Sequence, residues 1–358
     1  MRMLADFHHH ALAESLAITF TDHWGVDLFY PMGMEWFDEG IWQFERAFHG
    51  DRVARQYLEG IWAGAHVVDG IGRLEDRRHP GRILWGVTLE AARASHWDIV
   101  LSTLPHNDEG FHRFATERAA RFGVQVGNTM QDSRFDLASF ILASSTMPGY
   151  TDASTWGRVV DYRGAPMVIY HQAFDTERNF FPSTAPALWS GEVASWVNCF
   201  PETSPYPSFL DFARRTRDEF DWRVYGSYGS AATDEFAAGD ISLVPQIGDR
   251  MREARIGFHM KSWSDGYGHV IHNWAAIGRP LIWVAPYYRD KLAAPLWVDG
   301  VNAWDITTRS EDEIVAVMKR LRDDDEFWQA ACESSAARFR EIVNFEHEAN
   351  VIGEMLGL

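Results

Sequence analysis

Apolar residues along this 358-residue chain follow two patterns that alternate. Short apolar runs are typical of strands, and apolar positions three and four residues apart are typical of helices. The patterns predict strands at residues 3–7, 26–30, 82–86, 98–104, 124–126, 167–170, 193–200, 222–226, 241–244, 256–260 and 281–284. Strands that alternate with helices in this way indicate α/β domains with parallel sheets.

The length predicts two domains, since a domain usually has about 100–200 residues. Residues 183–191 contain Ser, Thr, Ala, Pro and Gly, which is typical of a linker. We therefore predict one α/β domain over residues 1–185 and a second over residues 186–358. The sequence leaves open whether the last helix crosses back to the first domain.

The composition is that of a folded, acidic protein. Hydrophobic residues make up 46% of the chain and charged residues 23%, so disorder is excluded. No apolar run approaches the ~20 residues of a membrane span, and the first residues have no apolar secretory segment. Two cysteines, Cys199 and Cys332, do not make a disulfide framework, so we expect a cytoplasmic protein. The net charge of −18 disfavours nucleic-acid partners, although a local basic groove would remain compatible with it.

One stretch in the second half combines a strand, a glycine-rich turn and a helix. The strand ends near Lys261, the turn contains Gly266 and Gly268, and residues 269–277 have a helical apolar stripe. Gly278 is typical of the residue that follows a helix. A loop that leads into a helix N-terminus can bind an anion through free backbone N–H groups.

The same stretch resembles the donor loop of retaining glycosyltransferases of the GT-B fold, the glycogen-synthase and sucrose-synthase type. The residues that carry the resemblance are Ser262, Asp265, Gly266, Tyr267, Gly268, His269, Asn273, Ala276, Gly278 and Pro280. It implies two Rossmann-like domains that face one another across a cleft, the second binding the nucleotide sugar. It also implies that Asp265 orients the donor sugar in catalysis, that the amides of the loop face the diphosphate, and that Asn273 binds the ribose. The family has glutamate at both acidic positions, so Asp265 is one methylene shorter and Asn273 has lost the charge.

The family's second domain carries basic residues in its first loop, and the corresponding residues 201–205 here contain none. A diphosphate needs cations or many N–H donors, so its charge must be met elsewhere. Lys261, one of only three lysines, is the first candidate, with a solvated surface lysine as the alternative. Arg255 and Arg252 are further candidates for donor binding.

The first domain offers candidate residues for the acceptor and sugar side. His8, His9 and His10 follow the first predicted strand, where open α/β sheets bind ligands. We select His9 as a catalytic candidate; the alternative is one helix-capping histidine with the others in solvent. No third ligand with suitable spacing follows, so a zinc site is rejected. Residues 123–132 resemble a family segment that ends in His-Asp and whose histidine faces the donor sugar; here Gln131 stands at the histidine position and Asp132 keeps the acid.

The resemblance implies transfer of a sugar from a nucleotide-diphosphate sugar to an acceptor hydroxyl, without a metal or other cofactor and with retention. The acceptor stays open among a glycan, a small molecule and a hydroxylated base in DNA. A non-catalytic nucleotide or sugar binder of the same fold is an alternative, suggested by Gln131 and Asn273. A dehydrogenase is disfavoured, because the first strand ends in histidines rather than a Gly-x-Gly-x-x-Gly loop.

Overall fold

The chain forms two compact units, Met1–Phe174 with Phe345–Leu358, and Asp175–Asn344. The computed structural model describes residues 1–6, 10–39, 51–103, 108–118, 120–127, 135–145, 147, 149–150, 152–172, 176–183, 192–197, 205–226, 235–262 and 265–358. In this part of the chain no helix is both long enough and apolar enough to cross a membrane.

Strands and helices alternate through both units, as the apolar pattern predicts. The strands are β1 (Arg2–Ala5), β2 (Asp27–Pro31), β3 (His66–Val68), β4 (Ile71–Glu75), β5 (Ile83–Val87), β6 (Ile99–Ser102), β7 (Arg121–Val126), β8 (Phe140–Ala143), β9 (Val159–Tyr162), β10 (Ala165–Ile169), β11 (Glu192–Trp196), β12 (Asp221–Tyr225), β13 (Ala237–Gly239), β14 (Ile256–His259), β15 (Leu281–Trp283) and β16 (Ala303–Asp305). The α-helices are α1 (His10–Leu16), α2 (Glu35–Asp38), α3 (Asp51–Ile61), α4 (Leu89–Arg93), α5 (Asp108–Glu117), α6 (Tyr206–Thr216), α7 (Val244–Glu253), α8 (His269–Ile277), α9 (Ala285–Tyr288), α10 (Glu311–Asp323), α11 (Asp325–Ile342) and α12 (Phe345–Leu356). A π-helical segment, Ala17–Asp22, continues α1.

The first unit is built on a sheet whose order, within the described residues, is β3-β4-β5-β2-β1-β6-β7-β8-β10-β9. Strands β5, β2, β1, β6, β7, β8 and β10 run parallel. The strands β3 and β4 at one edge and β9 at the other pair antiparallel. The parallel part, read from β5 to β8, has the strand order 3-2-1-4-5-6 of a Rossmann-like domain.

The second unit has a parallel sheet with the order β13-β12-β11-β14-β15-β16 among the residues described. This is again the order 3-2-1-4-5-6, and it reverses between β11 and β14. Its core packs Val193, Phe258 and Trp304 from the strands against Phe212 of α6 and Leu321 of α10. Ligands of such sheets bind outside the carboxyl ends of the strands at the reversal, which here means the residues after β11 and β14.

The segment 176–183 is fastened to the second unit by two arginines. Arg252 donates a hydrogen bond of 2.8 Å to the backbone oxygen of Asn179, and its guanidinium lies 3.9 Å from the ring centre of Phe181. Arg279, fully buried, donates to the backbone oxygen of Ser183 at 2.9 Å. These contacts explain why this segment belongs to the second unit. The boundary predicted at residues 185–186 lies outside the described residues.

Helix α12 packs on the first unit. The carboxylate of Glu348 accepts a hydrogen bond of 3.0 Å from the backbone N–H of His171, and its other oxygen lies 2.8 Å from Nδ1 of that residue. Trp24 donates from Nε1 to the backbone oxygen of Ala349 at 2.8 Å. The last helix of the chain therefore completes the unit that contains the first strand.

The strand predicted at residues 241–244 is wrong. Strand β13 ends at Gly239, and residues 240–243 lead into α7, which begins at Val244. Pro245 explains the difference, because proline suits the first turn of a helix and the residue before it still carries the apolar pattern. The helix predicted over residues 269–277 is confirmed as α8.

Gly248 in α7 lies against the segment 176–183, and an added Cβ would be 1.8 Å from the backbone oxygen of Asn179. One of the two backbones must shift, so we expect Gly248→Ala to lower the free energy of unfolding by about 1–3 kcal/mol. Gly60 in α3 is the matched control, since nothing lies within 4 Å of its added Cβ. We expect Gly60→Ala to raise stability by about 0.5–1 kcal/mol. Urea unfolding measures both, and equal effects would contradict the close approach.

Candidate functional site

The candidate site begins where β14 ends, at the reversal of the second sheet. His259 is the last residue of β14, Lys261 lies two residues further along the chain, and Asp265 stands at the start of the turn that leads into α8. Gly268 caps α8 with φ of 91°, a left-handed conformation that suits glycine. A Cβ there would also press on the side chain of Ile271 at 3.1 Å. The loop thus delivers the backbone to the N-terminus of α8, whose first N–H groups have no partner within the helix.

An ion pair occupies the centre of this loop. Lys261 donates from Nζ to Oδ1 of Asp265 at 2.5 Å, and the two side chains are only 10% and 17% exposed. Tyr288, fully buried in α9, donates from its hydroxyl to Oδ2 of Asp265 at 2.6 Å. Each carboxylate oxygen of Asp265 therefore has a donor.

Two further groups hold Asp265 in place, one through its backbone and one through Tyr288. The hydroxyl of Tyr287 accepts from the backbone N–H of Asp265 at 2.7 Å and donates to its backbone oxygen at 3.3 Å. His259 lies behind, with Nε2 at 2.7 Å from the hydroxyl of Tyr288 and 3.8 Å from Oδ2 of Asp265. We call His259, Lys261, Asp265, Tyr287 and Tyr288 the Asp265 cluster.

Burial and charge act in opposite directions on the pKa values of the cluster. Burial alone would raise the pKa of the Asp265 carboxyl, but the His259 imidazole and the Lys261 ammonium outweigh it and hold that pKa well below its usual value. Burial lowers the pKa of His259. Burial and the Asp265 charge raise the pKa of Tyr288 well above its usual value, and burial raises that of Tyr287 to about 12. Near neutral pH Asp265 is therefore charged, His259 neutral and both phenols protonated.

The other residues of the predicted donor loop lie on or beside α8. Tyr267 is fully buried, and its hydroxyl is 2.6 Å from Nδ1 of His272. His269 packs its ring edge-on against Tyr267, with ring centres 5.1 Å apart. Oδ1 of Asn273 is buried and has no hydrogen-bond partner among the described residues. Ser262 is exposed, and Gly266 is partly exposed.

Arg255 is not brought to this loop. It stands just before β14, and about 13 Å of strand separates it from His259 at the other end. Its guanidinium donates to the backbone oxygen of Leu321 at 2.8 Å and to Asp325 at 2.5 Å. The donor-binding role expected for Arg255 does not fit this position, because the strand directs it to the opposite edge of the sheet.

Most candidates of the first unit lie outside the described residues: His8, His9, Gln131 and Asp132. His10 is the first residue of α1. The described part of this edge contains Asp6 after β1 and Thr103 after β6. Thr103 donates its backbone N–H to the carboxylate of Asp6 at 2.7 Å, which joins the two strands at the reversal of the first sheet.

Sequence reasoning missed His259, Tyr287 and Tyr288. His259 stands between apolar residues and has the pattern of a strand interior, while the tyrosines lie beyond the next strand of the chain. The signal that could have found them is position, since His259 ends β14 and the tyrosines follow β15 at the same edge of the sheet. Across the described residues, no group of three His, Cys, Asp or Glu side chains is arranged to hold a metal ion.

No family model matches the chain, and no curated protein matches it. Solved structures do match. HepE from Anabaena, solved with UDP and glucose, has a TM-score of 0.63 over 100% of this chain and 99% of its own, at 11% identity. A mutant of TarM from S. aureus, solved with fondaparinux, alpha-GlcNAc-glycerol and UDP, has a TM-score of 0.62 over 100% of both chains, at 7% identity. Sucrose-phosphate synthase from Thermosynechococcus elongatus has a TM-score of 0.60 over 99% of this chain and 98% of its own, at 10% identity.

These likenesses extend over the whole chain at low identity, so they establish the fold. The α/β class and the GT-B fold with two parallel-sheet domains, predicted from the sequence, are confirmed.

The Lys261–Asp265 ion pair can be tested with a double-mutant cycle. Lys261→Met leaves a largely buried carboxylate without its cation, and Asp265→Asn leaves the ammonium without its anion. We expect each single variant to lose about 3 kcal/mol of unfolding free energy in urea, and the double variant clearly less than the sum. The exposed pair Arg250–Glu253 is the control, and its coupling should stay below about 1 kcal/mol. An additive cycle at Lys261 and Asp265 would contradict a strong pair.

Proposed function

We propose that this chain transfers a sugar from a nucleotide-diphosphate donor to an acceptor hydroxyl. The observation that carries the proposal is the Asp265 cluster, which lies at the reversal of a Rossmann-like sheet and directly before the N-terminus of α8. A helix N-terminus at this position can offer backbone N–H groups and its dipole to an anionic ligand. HepE, solved with UDP and with UDP-glucose, has the same fold, so UDP-glucose is the first donor to try.

The diphosphate is bound by the loop before α8 and by Lys261. The backbone N–H groups from Gly266 to His269 supply hydrogen bonds and the positive end of the helix dipole. Lys261 supplies a charge-assisted hydrogen bond that strengthens as the diphosphate leaves the sugar. These groups take the place of a metal ion, so we propose a metal-independent reaction.

The donor's ribose and sugar are bound on either side of the diphosphate. Asn273 places in the second turn of α8 a buried Oδ1 that has no partner on the described residues, and a ribose hydroxyl can donate to it. Asp265 orients the sugar, because each carboxylate oxygen has two lone pairs and only one donor on the residues described. A carboxylate fixed in this way favours a single sugar orientation and, by the family resemblance, retention of configuration.

The acceptor side belongs to the first unit in this proposal. His9 as a catalytic residue and His8, His10, Gln131 and Asp132 as sugar or acceptor contacts stay predictions. The acceptor is a hydroxyl on a glycan, a small molecule or a modified DNA base.

The test is a thermal-shift panel of UDP-, ADP- and GDP-sugars, followed by a nucleotide-release assay with the donors that bind. A donor at 100 times its dissociation constant should stabilise the fold by about 2.7 kcal/mol. Release of the nucleoside diphosphate should continue in EDTA. Binding without any release across a broad acceptor set would favour the non-catalytic binder, and loss in EDTA that manganese restores would exclude the metal-free mechanism.

Lys261 and Arg252 give a matched pair of variants for donor binding. A charge-assisted hydrogen bond contributes about 1.5–3 kcal/mol, so Lys261→Met should weaken UDP binding by about 10–100-fold. Arg252→Met should leave the affinity nearly unchanged, because its guanidinium binds the backbone of Asn179 instead. Calorimetric titration measures both affinities. A larger loss in Arg252→Met than in Lys261→Met would show that Arg252, and not Lys261, binds the diphosphate.

A further inference from the structure

The Asp265 cluster contains one buried nitrogen that the proposed function does not use. His259 is 1% exposed, and its Nδ1 has no hydrogen-bond partner among the described residues. The other ring nitrogen, Nε2, lies 2.7 Å from the hydroxyl of Tyr288. A buried nitrogen without a partner is unusual and calls for a physical explanation.

The hydrogen bonds of the cluster determine which nitrogen carries the proton. A charged carboxylate can only accept, so the single hydroxyl proton of Tyr288 is directed to Oδ2 of Asp265. Tyr288 must then accept from His259, which places a hydrogen on Nε2. Nδ1 is therefore a bare acceptor when the imidazole is neutral and the place where a second proton would bind.

The charges of the cluster cancel when no ligand is bound. Lys261 contributes one positive charge and Asp265 one negative charge at 2.5 Å. In the described part of the chain, the charged groups that face His259 are these two, from the loop. Tyr288 faces His259 from α9. On β15 the residue paired with His259 is Trp283, which does not titrate. The cluster thus offers an incoming anion a cation that is already neutralised.

We propose that a nucleotide diphosphate binds at this site together with one proton, which Nδ1 of His259 takes up from solvent. The inference rests on the proposed function, since it requires the anion to lie against Lys261 and the loop before α8. The anion shares the Lys261 ammonium with Asp265 and adds negative charge beside a neutral imidazole. Nearby negative charge favours the charged form of histidine. The imidazolium then gives the cluster a net positive charge, and Tyr288 links that charge to Asp265. His259 is thus a positioning residue that acts through Tyr288.

The sign of the pH dependence follows from this scheme. Without ligand, burial holds the pKa of His259 below its usual value, and the bound anion raises it. Between the two pKa values binding takes up a proton, so affinity falls as pH rises through that window, by up to about tenfold per pH unit. Above the pKa of the complex, affinity no longer changes with pH.

The test is calorimetric titration of the full chain with UDP at pH 7.5, in HEPES and in Tris. The two buffers release protons with different heats, so the difference in binding heat gives the number of protons taken up. The last phosphate proton dissociates near pH 6, so UDP itself contributes little at this pH. We expect about 0.5–1 proton per UDP in the wild type, as a group whose pKa rises across the working pH requires.

His259→Gln keeps an N–H group for Tyr288 but cannot take up a proton, so the uptake should disappear. His96→Gln removes a histidine whose side chain is 68% exposed and should retain the uptake. If His259→Gln does not fold, nitrogen NMR of the wild-type imidazoles decides the question, since Nδ1 of His259 should be protonated only with UDP bound.

The outcomes separate the inference from the function on which it rests. Three outcomes would overturn the inference and leave the proposed function standing. They are UDP binding without proton uptake, proton uptake that persists in His259→Gln, and an unprotonated Nδ1 of His259 in the complex. Failure of every nucleotide diphosphate to bind overturns the proposed function and the inference with it.

Discussion

The ion pair between Lys261 and Asp265 is the interaction on which the rest of the site depends. Withdrawing two charges from water is costly, and the cost is offset only when the pair is close and its remaining hydrogen-bonding capacity is used. Tyr288 supplies a second donor to the carboxylate, His259 holds the hydroxyl of Tyr288, and Tyr287 binds the backbone of Asp265. The described residues Asp265 to Gly268 therefore lie between a buried salt bridge and the N-terminus of α8.

The strand order explains why these groups meet. In the second unit the reversal lies between β11 and β14, and the carboxyl ends of all six described strands reach one edge of the sheet. Aromatic residues follow the same edge: Trp196 ends β11, Tyr225 ends β12, and their rings stack with centres 4.3 Å apart. The first unit repeats the order, with Asp6 and Thr103 at its own reversal. One topology, used twice, thus concentrates polar and aromatic side chains at two reversals.

The sequence predicted what depends on neighbours along the chain. The helix over residues 269–277 and its flanking glycines were predicted because period and capping are local properties. The GT-B fold was predicted from the resemblance of the donor loop to a known family. The position of Arg255 was not predicted correctly. An arginine can bind a diphosphate, but the direction of β14 places this one at the opposite end of the strand from the loop. His259 and Tyr288 were missed for a related reason. They hydrogen-bond to each other although 29 residues separate them, and strand pairing, which periodicity does not show, brings them together. Residues 241–244 have the apolar pattern of a strand, but Pro245 lies in the first turn of α7, so these residues lead into that helix.

Helix α12 has a consequence for how the protein is made. Glu348 binds His171 across 177 residues of chain, and all of the second unit is encoded between them. Domains usually fold in the order in which the ribosome produces them, the N-terminal one first. Here most of the first unit is synthesised early, but its helix α12 is synthesised only after the second unit has been translated. During that interval the surface later covered by α12 is open to water and to chaperones, so the unit synthesised first is the one completed last.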